Sequence, residues 1–461
     1  MEANLFNQIW ALSFKEKSDS ITTQLVHLTE ELIQLYEAQG RLQENPLDPS
    51  RKRRLSLPST SLSALLRGKV CLVTGGLGSV GSKLVEHLLN HSPDKIIIVD
   101  KLPKEESPYE LPKSSKITVI QADILDEQKL REIFKEYLPE FIFHTAAQRD
   151  PGYAEKNIVE TVKTNILGTL NVLNACEKYP SVRQCVFSST GKASRYYTSE
   201  IYAATKKVCE MLLDSFSREG TKLYSMVRFT HIVDNSLMDQ QLREAAQTAD
   251  RIAIHSPGKF VTAQNVEEAA CLMENALIYA EKGKSKFFLV KNLEWPVESL
   301  ELALYYIKTF KRKIPIVFSG NPKGYGEKFY RGQLDWKNPL ELNLLINVYE
   351  NRWRTLNTEE DIIISSIVPF TIPLLKNLIT EIKQTTEEEA TKEVLVNGLK
   401  TIFEDSLKNV PATQTVEILK WGLDPKTLAM EGLTAADFGE MVPAMISSLA
   451  GTPYENSFHI Q

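Results

Sequence analysis

The stretch that most limits how this chain can fold is Val70-Cys71-Leu72-Val73-Thr74 followed by Gly75-Gly76-Leu77-Gly78-Ser79-Val80-Gly81. A short apolar run of this kind reads as a strand buried on both faces, which a parallel sheet covered by helices provides. Gly75, Gly78 and Gly81 stand three apart, between that strand and a helical pattern over Ser82–Leu89. Glycine there lets the chain turn sharply, lets a pyrophosphate approach the backbone and lets helix pack closely on strand. The N–H groups that open the helix then face the phosphates. The next apolar run, Ile96–Val99, ends at Asp100, nineteen residues after Gly81. An acidic side chain at that place accepts hydrogen bonds from an adenosine ribose and repels a 2′-phosphate. The pattern therefore favours NAD, with Lys101 next door leaving NADP as the lesser alternative.

Apolar runs recur at Ile117–Ile120, Phe141–Phe143 and Cys185–Phe187, with patterns of helical period between most of them. This alternation predicts βαβ units and an α/β fold on a doubly wound parallel sheet, over about 66–338. Ahead of it, 1–45 reads as a helical segment. Ser20 is its expected N-cap, and Ile21, Leu25, Leu28, Leu32, Leu35 and Leu42 recur at heptad-like spacing. That seam suits a helix packed on its own chain or one at a subunit contact. Residues 46–65 read as a linker, with Pro46, Pro49, Pro58 and a basic run, Arg51-Lys52-Arg53-Arg54-Leu55-Ser56, read as solvated, with anion binding or phosphorylation as the alternative. Residues 339–461 read as a C-terminal helical extension.

Composition narrows the function classes. The 461 residues carry a net charge of −5, so no overall basic field draws nucleic acid or an anionic membrane surface. The five cysteines follow no metal-ligand spacing and leave one over if paired. They are expected to be reduced core thiols, with no metal centre. No early apolar run suits a signal peptide, and the stretch from Ile362 to Leu375 is too short to span a bilayer. A soluble cytoplasmic protein is expected.

Tyr202-Ala203-Ala204-Thr205-Lys206 puts a phenol and an ammonium one helical turn apart on one face. Together with a nicotinamide cation, that lysine is expected to depress the tyrosine pKa. The phenolate can then take a proton from an alcohol as hydride leaves for the cofactor. Ser188-Ser189-Thr190 follows the Cys185–Phe187 run. Hydroxyls at the C-terminal end of a strand face the crevice where open α/β sheets bind ligands, so Thr190 is the expected donor to the reacting oxygen.

Together these residues resemble the extended short-chain dehydrogenase/reductase superfamily, which implies a Rossmann-type fold. His144-Thr145-Ala146-Ala147 is similar to its H-x-A-A segment lining the cofactor, and Asp123-Ile124 to the pair near the adenine. Asn165-Ile166-Leu167-Gly168-Thr169 resembles its N-x-x-G-T helix start. Three further segments resemble the polysaccharide-biosynthesis branch, the CapD-like nucleotide-sugar 4,6-dehydratases and epimerases. Ser189-Thr190-Gly191-Lys192-Ala193 is similar to S-T-D-K-A, and Val227-Arg228-Phe229 to V-R-F-G-N-V. Gly324-Tyr325-Gly326-Glu327-Lys328-Phe329-Tyr330 is similar to R-P-G-E-K-L-y. The resemblance implies cofactor contacts from Gly75, Gly76, Leu77, Gly78, Ser79, Val80, Gly81, Asp100, Lys101, Asp123, Ile124, Ala146, Ala147, Asn165, Tyr202 and Lys206. It implies Tyr202 as the base, Lys206 as its electrostatic partner and ribose contact, Thr190 as the hydroxyl donor and Lys192 as a residue of the elimination step. A small substrate-binding part is expected from about 228.

The departures from that pattern fall on the substrate chemistry. Gly191 stands where the branch has the Asp associated with elimination, and two extra residues separate Lys192 from Tyr202. Glu200, inside that segment, reads as a surface carboxylate, with replacement of the missing acid as the alternative. His231 replaces an Asn that contacts substrate, Gly324 replaces a diphosphate-binding Arg, and Gln148-Arg149-Asp150-Pro151 replaces K-H-V-P. Gln148, Arg149, His231 and Lys259 are the candidate substrate residues, Arg149 and Lys259 as cations for a diphosphate. The resemblance implies oxidation of a secondary alcohol, at C4 of a nucleotide sugar, by a homodimer. The alternatives are a dehydrogenase or ketoreductase of a non-sugar alcohol and a catalytically silent NAD-binding scaffold.

Overall fold

The computed structural model describes residues 2–320, 328–335 and 343–458, which fall into two compact units. One holds 2–54, 230–266 and 293–320; the other holds 55–229, 267–292 and the described residues from 328 onward.

The second unit is built on a nine-stranded sheet. Its first six strands are β1 (Val70–Thr74), β2 (Lys95–Asp100), β3 (Ile117–Gln121), β4 (Phe141–His144), β5 (Gln184–Thr190) and β6 (Leu223–Phe229). They lie in the order β3-β2-β1-β4-β5-β6, all parallel, and Lys286–Val290 continues the parallel sheet beside β6. β5 is buried at every position, as its apolar start requires for a central strand. The chain reverses direction across the sheet between β1 and β4, so a crevice opens at the C-terminal ends of the strands there. This is the expected α/β, Rossmann-type architecture.

Residues beyond 342 extend that unit rather than trail from it. Ile362–Ser365 adds antiparallel to Lys286–Val290, and Thr355–Leu356 pairs with it in turn. The sequence predicts a helical extension there. The run Ile362-Ile363-Ile364 is instead buried as an edge-adjacent strand, where its β-branched side chains pack well on a pleated surface. The later helices, among them Glu388–Ser406 and Ala412–Gly422, bury Phe403, Ile418, Leu419 and Val442 in one cluster with Tyr196, Tyr330 and Tyr349.

The first unit unites the N-terminal helices with two later segments. Helices Glu2–Ser13 and Asp19–Ala38 bury Leu5, Ile9, Leu25, Leu28 and Leu32 against Ile252, Ile316 and Phe318. Ser13 and Thr29 hydroxyls accept from the Phe318 and Ile316 amides at 2.9 Å. The heptad-like leucines thus face their own unit, and residues 1–45 are not a separate segment. The N-cap is Ser18, whose side chain accepts from the Ile21 amide, and not Ser20. The stretch read as a linker is also structured. It forms helices Asp48–Lys52 and Ser59–Leu66, and within the first unit Arg51 pairs with Asp239 at 2.9 Å.

All five cysteines are free and buried. Among the described residues no helix is long and apolar enough to cross a membrane.

Candidate active site

The glycine loop after β1 has the tight form that its sequence predicts. Gly75 sits at φ +71°, and a β-carbon on it would lie 2.6 Å from the Ala146 amide nitrogen. A β-carbon on Gly81 would lie 2.2 Å from the Gly75 carbonyl oxygen. No side chain fits at either place, so loop, β4 exit and the helix Ser79–Leu89 approach one another through bare backbone. Gly78 caps that helix without a side-chain hydrogen bond, which leaves its first N–H groups available to an anion. Asp100, at the end of β2, accepts from the Leu77 and Leu102 amides at 3.0 and 3.1 Å, one on each oxygen. A carboxylate has lone pairs to spare beyond two such bonds. Asp123 accepts from the Leu125 amide, and Ile124 is buried against Gly168. Lys101 is exposed. The residues present fit a dinucleotide.

His144 and Asn165 hold the floor of the crevice. His144 bonds the Thr74 hydroxyl at 2.7 Å through Nδ1 and the Thr169 hydroxyl at 2.9 Å through Nε2. Burial, with help from Lys206, lowers its pKa to about 3, so the ring is a neutral tie between β1, β4 and the helix Gly168–Lys178. Asn165 lies in a single π-helical turn, Lys163–Leu167, a local form found often at functional sites. Its side chain accepts from the Gln148 amide at 2.8 Å and donates to the Gln148 carbonyl and the Thr205 hydroxyl. One amide thus ties the segment carrying Gln148 and Arg149 to the helix carrying Tyr202.

Thr190 ends β5, and helix Ile201–Glu219 carries Tyr202 and Lys206. The Thr190 hydroxyl lies near enough to the Tyr202 phenol to favour its ionisation, and its oxygen accepts from the Lys192 amide at 3.4 Å. Burial pushes the phenol pKa up, to about 12, and the Glu200 carboxylate adds to this; the Thr190 hydroxyl and the Arg149 cation oppose it. The depressed phenol expected from the sequence is therefore not what these protein groups produce. The Lys206 ammonium donates to the Ser188 carbonyl at 2.9 Å and sits over the Phe187 ring. Burial lowers its pKa to about 8.

Glu200 corrects the sequence reading. It is buried, with 4% of its side chain exposed, and it holds Lys192 and Arg195 in ion pairs. The segment between Lys192 and Tyr202 packs on the C-terminal part of the unit. Tyr196 donates to the Gly332 carbonyl at 3.0 Å and packs edge-on to Tyr349, while the Ser194 carbonyl accepts from Asn347. Gly191 lies against Leu345, whose Cγ would be 2.5 Å from a β-carbon there. Arg228 is buried, with two bonds to Glu210, two to Glu350 and one to the Leu345 carbonyl. It fixes the segment that carries Leu345. Sequence reasoning did not find Leu345, Glu210 or Glu350, because no motif marks them.

Gln148 and Arg149 share the second unit with Thr190, Tyr202 and Lys206. His231 and Lys259 belong to the first unit. There His231 bonds the Ser236 hydroxyl at 2.6 Å, and burial lowers its pKa. Lys259 is exposed. Gly324 to Glu327 lie outside the described residues.

Residues 71–338 match the family model described as polysaccharide biosynthesis protein. The chain is 27% identical over 322 residues to the capsular polysaccharide biosynthesis protein CapD of Staphylococcus aureus, covering 63% of this chain and 52% of that one. It is 31% identical over 176 residues to a UDP-N-acetylglucosamine 4,6-dehydratase (inverting) of Campylobacter jejuni, covering 37% of this chain and 51% of that one. The chain thus spans about half the length of each of these relatives. Among solved structures, Pen from Bacillus thuringiensis superposes with a TM-score of 0.54 at 21% identity, over 65% of this chain and 87% of that one. With the glycine loop, the strand order and the family match in agreement, the chain belongs to the polysaccharide biosynthesis protein family, the CapD-like branch of the extended short-chain dehydrogenases/reductases.

Proposed function

We propose that the chain is an NAD-dependent oxidoreductase of the epimerase/dehydratase type that acts on C4 of a nucleotide sugar. The observation that carries this reading is the placement of Thr190 at the end of β5 and of Tyr202 and Lys206 one turn apart on the helix Ile201–Glu219 that follows it. The relatives named as dehydratase and polysaccharide-biosynthesis proteins support the substrate class. A bound NAD supplies the hydride acceptor and, on return, the hydride donor. Tyr202 takes the proton of the C4 hydroxyl and later returns it to the C4 oxygen, while Thr190 holds that oxygen by its hydroxyl. Lys206 contributes positive charge next to the site. The backbone of Gly75–Gly81 and the Asp100 carboxylate bind the cofactor, and Asp100 favours NAD over NADP by repulsion of a 2′-phosphate.

Elimination of water across C5–C6 needs a group to protonate the leaving hydroxyl. Position 191 supplies none, and Leu345 fills the adjoining space. This supports return of the hydride to C4, and therefore epimerisation, over dehydration. The test is incubation of the purified chain with NAD and UDP-N-acetylglucosamine, read by product mass and NMR. Unchanged mass with inverted C4 is expected. Loss of one water would replace epimerisation with dehydration. Accumulation of reduced cofactor would point to a simple dehydrogenase, NAD binding without turnover would leave the scaffold, and failure to bind NAD would overturn the reading.

A further inference from the structure

A second cluster of reactive side chains lies in the same unit, away from the strand ends that carry Thr190. Helix Ser79–Leu89 carries His87, with His91 one turn later, and helix Val266–Ile278 carries Cys271 and Glu274. The spacing of three puts Cys271 and Glu274 on one helical face, and His91 lies just past the end of the helix that carries His87. The helix Ser79–Leu89 begins at the C-terminal end of β1, so its last turn lies toward the N-terminal ends of the strands.

One ligand atom each from His87, Cys271 and Glu274 lies within 4.8 Å of the other two. Glu274 is fully buried and Cys271 nearly so. His87 Nδ1 stands 3.1 Å from Glu274 Oε2. Two ligands at about 2.0–2.1 Å from a tetrahedral zinc stand about 3.3 Å apart. An outer layer orients these groups. His87 Nε2 is 2.7 Å from Glu267 Oε2, and the other Glu267 oxygen is 2.9 Å from Lys83 Nζ. Glu274 Oε1 is 3.0 Å from His91 Nε2, and His91 Nδ1 is 2.9 Å from the Ser63 hydroxyl. A histidine whose far nitrogen meets a carboxylate is the arrangement that fixes tautomer and ring orientation at metal sites.

We propose that His87, Cys271 and Glu274 bind one divalent transition-metal ion of the zinc class, with water in the fourth position, as a structural cross-link between two helices. Thiolate and carboxylate together neutralise the two positive charges of such an ion, and mixed sulfur, nitrogen and oxygen ligands suit zinc. Binding displaces the proton of the Cys271 thiol and any proton on His87 Nδ1. The competing occupant is a proton. Burial alone would lower the His87 pKa, but its hydrogen bonds to Cys271, Glu274 and Glu267 raise it to about 11.

The two occupants separate in a titration of the full-length chain with Co2+ after removal of bound metal with a chelator. One equivalent of Co2+ is expected to give a saturable thiolate-to-cobalt absorption band that Zn2+ abolishes. Cys271→Ser should lose the band with an unchanged circular dichroism spectrum, and Cys185→Ser should keep it. Glu267→Gln, outside the ligand set, should weaken binding by about 10–100-fold. A chain without a saturable band, a band retained in Cys271→Ser, or unaltered affinity in Glu267→Gln would each overturn the metal site.

Discussion

The side chain of Leu345 stands where a side chain on residue 191 would go: a β-carbon built on Gly191 meets Leu345 Cγ at 2.5 Å and Cδ1 at 3.1 Å. Leu345 itself is 2% exposed, its carbonyl is held by Arg228 and its amide donates to Asn343. The missing carboxylate at 191 is therefore part of a packed arrangement with a segment more than a hundred residues later. That arrangement joins the site chemistry to the C-terminal part of the unit.

Gly191→Asp is expected to destabilise the chain by about 1–3 kcal/mol through overpacking. It should not create dehydratase activity, because the new carboxylate has no room beside the leucine. Adding Leu345→Ala should recover part of the stability by opening the space. Chemical denaturation of the three proteins checks this. Equal stability of Gly191→Asp and the parent would mean that Leu345 yields, and the packing argument would fall.

Arg228 carries a second prediction. Its guanidinium lies between the carboxylates of Glu210 and Glu350, all three nearly without exposure, and over the Phe287 ring. Arg228→Met would leave two buried carboxylates facing each other, at an expected cost of about 3–5 kcal/mol. Limited proteolysis should cut first within the C-terminal helices, since Glu350 belongs to the helix Val348–Arg352 that Arg228 holds. Uniform loss of structure without an early C-terminal cut would contradict that clamp role.

These residues also mark how far the sequence could be read. The glycine loop, β1 to β5 and the Thr190–Tyr202–Lys206 set lie in short segments whose spacing carries the geometry. Leu345 meets Gly191, Glu350 meets Arg228 and Cys271 meets His87 only through the fold, at separations no periodicity spans. Glu200 read as a surface carboxylate because helix starts are usually solvated. The C-terminal segments that meet its neighbours Ser194 and Tyr196 show no motif. Ile362–Ser365 was hidden as a strand because prolines follow closely and helical patterns surround it.

Tyr202→Phe is expected to lower the rate of sugar conversion by about 10²–10⁴-fold, the range for removal of a positioned acid or base. NAD affinity should change far less than the rate, because the Phe ring stays in place and the Gly75–Gly81 backbone and Asp100 supply other cofactor contacts. Initial rates together with NAD titration calorimetry separate the two effects. A Tyr202→Phe variant with near-parental rates would remove the phenol from the mechanism.

The charges beside Tyr202 predict opposite shifts of the pH–rate profile. The Arg149 cation lowers the phenol pKa and the Glu200 carboxylate raises it. Arg149→Met should therefore move the ascending limb to higher pH and Glu200→Gln should move it to lower pH. Profiles of kcat/KM for both variants test the pair, and shifts in the same direction would show that these groups act by some route other than their charge on the phenol.

Lys206 predicts a pH dependence of stability. Its pKa falls from an ordinary 10.5 to about 8 on burial. Between those values the unfolded chain binds the proton that the folded chain has released, so this group makes stability rise with pH from about 8 to 10.5. Below 8 both states are protonated and the cost of burying the ammonium stands in full, on the order of 3 kcal/mol. Lys206→Met removes that cost and loses the hydrogen bond to the Ser188 carbonyl. The stability difference between variant and parent should thus favour the variant most at pH 7 and move toward the parent by pH 10. Urea denaturation at the two pH values measures it, and a difference that does not change with pH would mean that Lys206 keeps an ordinary pKa in the folded chain.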